Sequence, residues 1–213
     1  MTAGAQTAGR GRLGRTWAAP PGAAVLASLL LRGLSERAAL LPLAAAVAVC
    51  EACERCAELE CAIKWPNDVW IDGRKVAGIL LEGRPQEGWL ALGIGLNVTT
   101  QADRLPEELR TTATSLAIAT GASQATAPGV EAVLAALLEA LERRLPARPD
   151  DVLGAWGQRD ALSGHPVRWQ GGEGVAEGID ASGALLVSTP GGRVELHAGE
   201  VTLIRPNLTG KYL

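Results

Sequence analysis

Gly9-Arg10-Gly11-Arg12-Leu13-Gly14-Arg15-Thr16-Trp17 interleaves three arginines with three glycines. Glycine lets a backbone approach a ligand closely, and a guanidinium fork clamps carboxylate or phosphate oxygens, so the segment reads as an anion site. A solvated basic loop is the alternative, but it needs no glycines at fixed spacing. Lysine occurs only at Lys64, Lys75 and Lys211 against seventeen arginines. Lys64 and Lys75 are thus either chance or places that need a compact point charge, which a guanidinium does not imitate. Lys64-Trp65-Pro66-Asn67-Asp68 sets an amide and a carboxylate behind a proline turn, where they can orient a metal, a nucleophile or the turn's own amides. Gly93 and Gly95 clear one face of a strand ahead of Asn97, so that something can lie against it. No P-loop and no strand-initiated G-x-G-x-x-G is present. His165 and His197 fall in a β-rich tail and read as structural or exposed, and no Ser–His–Asp or Cys–His arrangement suggests itself.

These residues need elements to hold them. The chain has 213 residues, 47 % hydrophobic and 20 % charged, the balance of a soluble globule with one main domain and a small appendage. A net charge of −3 argues against bulk binding to nucleic acid or anionic membrane, although no acid precedes Glu36 while Arg10, Arg12, Arg15 and Arg32 do. That opening also has the composition of a transit peptide, but its glycines fit a folded anion site better. Ala23 to Leu31 and Ala38 to Cys50 are about half a bilayer span, and no signal segment opens the chain, so a reducing cytoplasm is expected. Gln6 to Trp17 reads as a loop and Val25 to Leu31 as a buried strand. Leu34 to Leu59 reads as a helix, with Ser35 and Pro42 near its start. A strand begins at Cys61-Ala62-Ile63; Val69 to Ile71, Asp72-Gly73 and Lys75 to Glu82 form a hairpin, and Trp89 to Val98 a further strand. Thr126 to Leu145 is the clearest helix, with Val130, Val133, Leu134, Leu137, Leu138, Leu141 and Leu145 on one face, and a short helix follows around Asp150 to Asp160. From Ser163, short β runs (Val167 to Gln170, Gly174 to Ile179, Ala184 to Ser188, Arg193 to His197, Val201 to Ile204) alternate with Gly-rich turns, the texture of a small barrel.

Cys50, Cys53, Cys56 and Cys61 have spacings that suggest a cluster or zinc site. Extended along one helix, Cys50, Cys53 and Cys61 would share a stripe and Cys56 would lie off it. Buried, reduced thiols acting as small hydrophobes is the better reading.

Four segments in order, Gln6 to Trp17, Lys64 to Val69, Gly73 to Leu80 and Gly93 to Val98, resemble the biotin protein ligase family, biotin–[acetyl-CoA-carboxylase] ligases. The resemblance implies an α+β fold: a mixed β-sheet catalytic domain packed with helices, of class II synthetase type, over residues 1–162, and a C-terminal SH3-like barrel over residues 163–213. It implies that biotin and Mg-ATP form biotinyl-5′-AMP, whose acyl group passes to a lysine of a biotin carboxyl carrier domain. By resemblance Gln6, Arg10, Gly11, Arg12, Lys75 and Gly78 bind biotin and its acyl phosphate, while Arg12, Arg15, Trp17, Asn67 and Asn97 serve ATP. Arg12 and Lys75 supply catalytic charge, and Asp68 orients or deprotonates the acceptor lysine. No protein metal ligand is expected. Family members carry a further biotin-contacting strand and helix ahead of the arginine loop, so the catalytic domain is expected to be N-terminally incomplete. The competing readings are a lipoate ligase, which shares the fold and the adenylate chemistry, and a non-catalytic binding remnant. A homodimer through sheet edges is a weaker expectation.

Overall fold

In the computed structural model, residues 1–34, 37–123 and 125–204 are described. Ser35 and Lys211, both singled out above, lie outside them, as do the last residues of the expected barrel.

The apolar run at Val25 becomes strand β1, Ala24–Arg32, buried on both faces in its first half and alternately exposed and half-buried after it. It pairs with β5, Trp89–Asn97, which pairs with β4, Arg74–Arg84; β3, Asp68–Ile71, and β2, Ala62–Lys64, complete a five-stranded sheet of order β1-β5-β4-β3-β2. Every ladder in it is antiparallel, so the parallel component of the expected mixed sheet is confined to two isolated bridges, Ile63 with Asp160 and Lys75 with Ala113. Asp72 and Gly73 both take positive φ, 50° and 70°, as a tight turn matched to strand twist requires. Met1 to Ala3 run along the open edge of β1, the amides of Ser28 and Ala3 donating to Met1 O and Leu26 O.

Helix α1, Leu41–Ala57, lies on one face of the sheet. It begins seven residues later than expected, with Pro42 in its first turn, where a missing N–H costs nothing. The helix is apolar nearly all round because it is covered on both sides, by the sheet and by α3, Val130–Arg144, with α4, Pro149–Gly157, beside it. α3 begins at Val130 and not Thr126, after Pro128 and Gly129; Leu138, expected on its buried face, is 45 % exposed, and Ala136 and Ala140 are buried instead. A short helix that the sequence reading omits, α2, Leu116–Thr120, is capped by the Ser115 side chain. Cys50 and Cys53 are buried on α1, Cys56 is half-buried, and all four thiols are free. Cys61 is not on the helix: the chain turns at Glu58, with φ at 50°, and carries Cys61 back to Cys50 and Cys53.

The tail forms a second five-stranded antiparallel sheet of order β10-β6-β7-β8-β9: β6, Pro166–Trp169; β7, Gly172–Ile179; β8, Leu185–Thr189; β9, Gly192–Leu196; and β10, Thr202–Leu203. It is fastened next to the Lys64–Asp68 turn. Ile63 exchanges backbone bonds with Arg159 and Ala161, and Trp65 Nε1 donates to Gly183 O at 3.0 Å. Gly183 permits that approach: its φ is +86°, and a Cβ there would stand 2.9 Å from Leu43 Cδ1. Among the described residues no helix is long and apolar enough to cross a membrane.

Candidate functional site

The arginine segment folds back on itself. Trp17 N donates to Gly9 O, Gly11 N donates to Arg15 O at 2.7 Å, and Leu13 and Gly14 turn the tip with positive φ. A Cβ at Gly9 would stand 2.3 Å from Trp17 O, so two backbones touch where only glycine permits it. The hairpin lies over the face of β4 that carries Leu80 and Glu82, enclosing a cleft of about 680 Å³ lined by Arg10, Gly11, Arg12 and Arg15. Each guanidinium has an oxygen partner: Arg10 meets Glu82 at 2.9 Å, Arg15 meets Glu200 at 2.9 Å, and Arg12 Nη1 donates to Asn67 Oδ1 at 2.9 Å. The first two pairs are exposed, whereas Arg12 is partly buried, and burial lowers its pKa.

Asn67 owes its place to the turn after Pro66. Its backbone O accepts from Ile79 N and its Nδ2 donates to Ile79 O, both at 2.9 Å, which leaves Oδ1 for Arg12. Arg12 and Asn67 also line a second cavity of about 420 Å³, against Leu43, Trp65 and Ser182. One residue on, Lys75 Nζ approaches Asp68 Oδ1 to 2.6 Å, off the line of a well-directed hydrogen bond. The Asp68 charge also raises the Arg12 and Lys64 pKa values against the burial that lowers both. Lys64 is more deeply placed, 5.5 Å over the Trp70 ring, and burial pulls its pKa down.

Gly78 and Gly95 face each other across β4 and β5. The space they clear is filled by Trp17: a Cβ on Gly95 would fall 2.4 Å from its Cε2, and one on Gly78 would fall 3.2 Å from its Cζ3 and from Lys75 Nζ. Lys75 Nζ lies 5.7 Å from the indole centre, a cation–π contact, and Trp17 Nε1 is buried with no acceptor. Gly93, next along the same face, is open: a Cβ there meets nothing nearer than Leu80 O at 3.6 Å.

Arg10, Gly11, Arg12, Arg15, Trp17, Asn67, Asp68, Lys75 and Gly78 are thus brought together. Gln6 is exposed, its Oε1 beside Gly9. Asn97 stands apart, 5 % exposed, with its Nδ2 donating to Thr114 O at 3.0 Å. The sequence reading missed the carboxylates that answer the arginines. Glu82 could have been found, since it shares a strand face with Gly78 and Leu80. Glu200, 185 residues from Arg15, left no local signal.

The chain matches the family model for the biotin/lipoate A/B protein ligase family over residues 1–98 and that for the biotin protein ligase C-terminal domain over residues 163–203, which covers the second sheet. It is 40 % identical to a biotin–[acetyl-CoA-carboxylase] ligase of Paracoccus denitrificans, over 92 % of this chain and 86 % of that protein. It is 36 % identical to the Mycobacterium tuberculosis ligase of the same name, over 94 % and 77 %. The bifunctional ligase/repressor BirA of Bacillus subtilis is 33 % identical over 95 % of this chain, which spans 65 % of that protein's length. Among solved structures, the biotin protein ligase from Aquifex aeolicus in complex with biotin and ATP superposes with a TM-score of 0.84 at 32 % identity, covering 96 % of this chain and 88 % of the other.

Proposed function

Since the chain belongs to the biotin protein ligase family, we propose that it activates biotin with ATP and transfers it to a lysine of a biotin carboxyl carrier domain. The observation that carries this reading is the turn at Asn67-Asp68, which holds Arg12 through Asn67 and Lys75 through Asp68 beside a strand face cleared by glycine. In the first step a biotin carboxylate oxygen attacks the α-phosphorus of ATP, the α–β phosphoanhydride bond breaks, and pyrophosphate leaves with biotinyl-5′-AMP formed. Two anions must meet for this, and fixed cations in a partly dry cleft lower that barrier most effectively. Lys75 exchanges Asp68 for the biotin carboxylate, and Arg12, oriented by Asn67, holds the α-phosphate. Gln6, Arg10, Gly11 and Gly78 shape the biotin side. Arg15, Trp17 and Asn97 serve the nucleotide.

In the second step the carrier's lysine amine attacks the acyl carbon, AMP leaves, and the proton lost by the amine goes to Asp68 once Lys75 no longer pairs with it. Mg²⁺ would arrive on the ATP phosphates. An ion carried on the nucleotide is held chiefly by phosphate and water. It would spread the charge of the leaving pyrophosphate. Residues 1–162 form the catalytic unit in this reading and residues 163–213 an SH3-like barrel. A cytoplasmic setting accords with four free thiols, and the edge of β1 beyond Met1–Ala3 is the candidate dimer surface.

The test is incubation of the chain with biotin, Mg-ATP and a carrier domain, read by intact mass, with Lys75→Ala in parallel. A carrier heavier by one biotinyl group, lost in the variant, supports the reading. Pyrophosphate released with lipoate and not biotin would favour the lipoate reaction, and binding of biotin without turnover would favour a remnant.

A further inference from the structure

Thr112–Ser115 take no part in the chemistry just proposed, yet this segment holds two of its residues. The β4–β5 ladder begins at Ala77 opposite Leu96, so Lys75 lies beyond its end. Lys75 also sits at an irregularity: Trp70 faces Lys75 while Val69 faces Ala77, leaving Val76 unopposed. A residue so placed has no β5 partner for its amide and carbonyl. Thr112–Thr114 supply the partners. Lys75 N donates to Thr112 O and Thr114 N donates to Lys75 O, each at 2.8 Å, as a parallel bridge centred on Ala113. Thr114 O also accepts from Asn97 Nδ2. One three-residue segment therefore grips both the amide and the carbonyl of Lys75 and the side chain of Asn97.

The amides of Thr112 and Ala113 donate to Leu109 O at one end of that segment, and the Ser115 hydroxyl fastens the other. Ser115 is fully buried; its Oγ donates to Thr100 O at 2.6 Å and accepts from Ile118 N at 3.0 Å, tying the loop after β5 to the first turn of α2. We infer that Ser115 is a positioning residue, which through the Thr112–Thr114 clamp holds Lys75 and Asn97 in register with the glycine-cleared face. The inference rests on the role proposed for Lys75. Removing the hydroxyl leaves Thr100 O and Ile118 N without their buried partner, and the clamp becomes free to shift. Displacement of a reacting group by about 1 Å is enough to cost on the order of 10²-fold in rate.

The test uses Ser115→Ala in the full chain, with Thr120→Ala as control, because Thr120 Oγ1 bonds Leu116 O at 2.8 Å within α2 and touches no part of the clamp. Ser115→Ala is expected to lower kcat/KM for biotin in pyrophosphate release by about 10- to 100-fold and to speed hydrogen exchange at the Lys75 and Thr114 amides. Thr120→Ala should leave both unchanged. In a Lys75→Ala background, Ser115→Ala should cost no further biotin affinity, since the two act through one group. Additive losses there, an equal loss of activity from Thr120→Ala, or unchanged exchange at the two amides would overturn the inference. If the parent chain releases no pyrophosphate with biotin, the ligase reading fails separately, and amide exchange still decides whether Ser115 holds the clamp.

Discussion

Adding one methyl group at Gly95 should drive Trp17 off the sheet. Its carbon would stand 2.4 Å from Cε2, 2.7 Å from Nε1 and 2.8 Å from Cζ2 of the indole, where carbon atoms prefer about 3.5–4.0 Å. Something must retreat by more than 1 Å. The strand is held on both sides, Gly95 facing Leu26 of β1 and Gly78 of β4, so the ring gives way. Overpacking of this kind costs about 1–3 kcal/mol. At about 2–4 °C per kcal/mol for a chain of this size, Gly95→Ala should melt about 2–12 °C below the parent in a thermal scan. The displaced ring should enter the cleft under the arginine hairpin and weaken biotin binding, read by calorimetry, by about tenfold for each 1.4 kcal/mol. Gly93→Ala separates the two effects. Its methyl group meets only Leu80 O at 3.6 Å and Leu80 Cβ at 3.8 Å, so stability should hold within about 0.5 kcal/mol while biotin affinity falls, because the methyl occupies open floor. A Gly95→Ala protein with parental melting temperature and affinity would refute the seating of Trp17 on this face, and a fully competent Gly93→Ala protein would refute the floor as a ligand seat.

Asp68→Asn should preserve biotinyl-5′-AMP formation and slow transfer to the carrier by about 10²-fold, the range of general base catalysis; separate assays of the two steps check this, and parental rates in both would remove Asp68 from the mechanism. Asn67→Ala frees Arg12 from a charge-assisted bond worth about 1.5–3 kcal/mol, so biotin-dependent pyrophosphate release should fall by about 10- to 150-fold. Glu200→Gln breaks an ion pair whose side chains are about half exposed, 54 % and 49 %, and should move the melting temperature by no more than about 1 kcal/mol implies. Cys61 accepts hydrogen bonds from the Cys50 and Cys53 thiols, which hold its pKa down to about 5, whereas burial raises that of Cys56. Where the label reaches both, alkylation mapped by mass should extend to lower pH at Cys61, which is 8 % exposed, than at the half-buried Cys56.

The sequence by itself determined the chemistry on offer and most of the elements. Arginines between glycines read as an anion clamp or a solvated loop, Asp72-Gly73 as a tight turn, and the alternation of β runs and glycines after Ser163 as a small barrel, of which the five-stranded antiparallel sheet is described. These are local properties, set by steric freedom and by periods of 2 and 3.6 residues, and they survive without a partner in view. The same periodicity misplaced Leu138, because which stripe of α3 is buried depends on α1 and not on α3. A helical stripe that includes Cys61 fails for a similar reason, since the left-handed turn at Glu58 ends the helix first. Only the tertiary structure decided which charges meet. Lys75 opposite Asp68 follows from a bulge in the β3–β4 pairing, Arg15 opposite Glu200 from the docking of the second sheet, and the grip of Thr112–Thr114 on Lys75 from a strand that stops at Asn97. The last two join residues tens to hundreds of positions apart, and the geometry of all three is fixed by packing, which no pattern along the chain records.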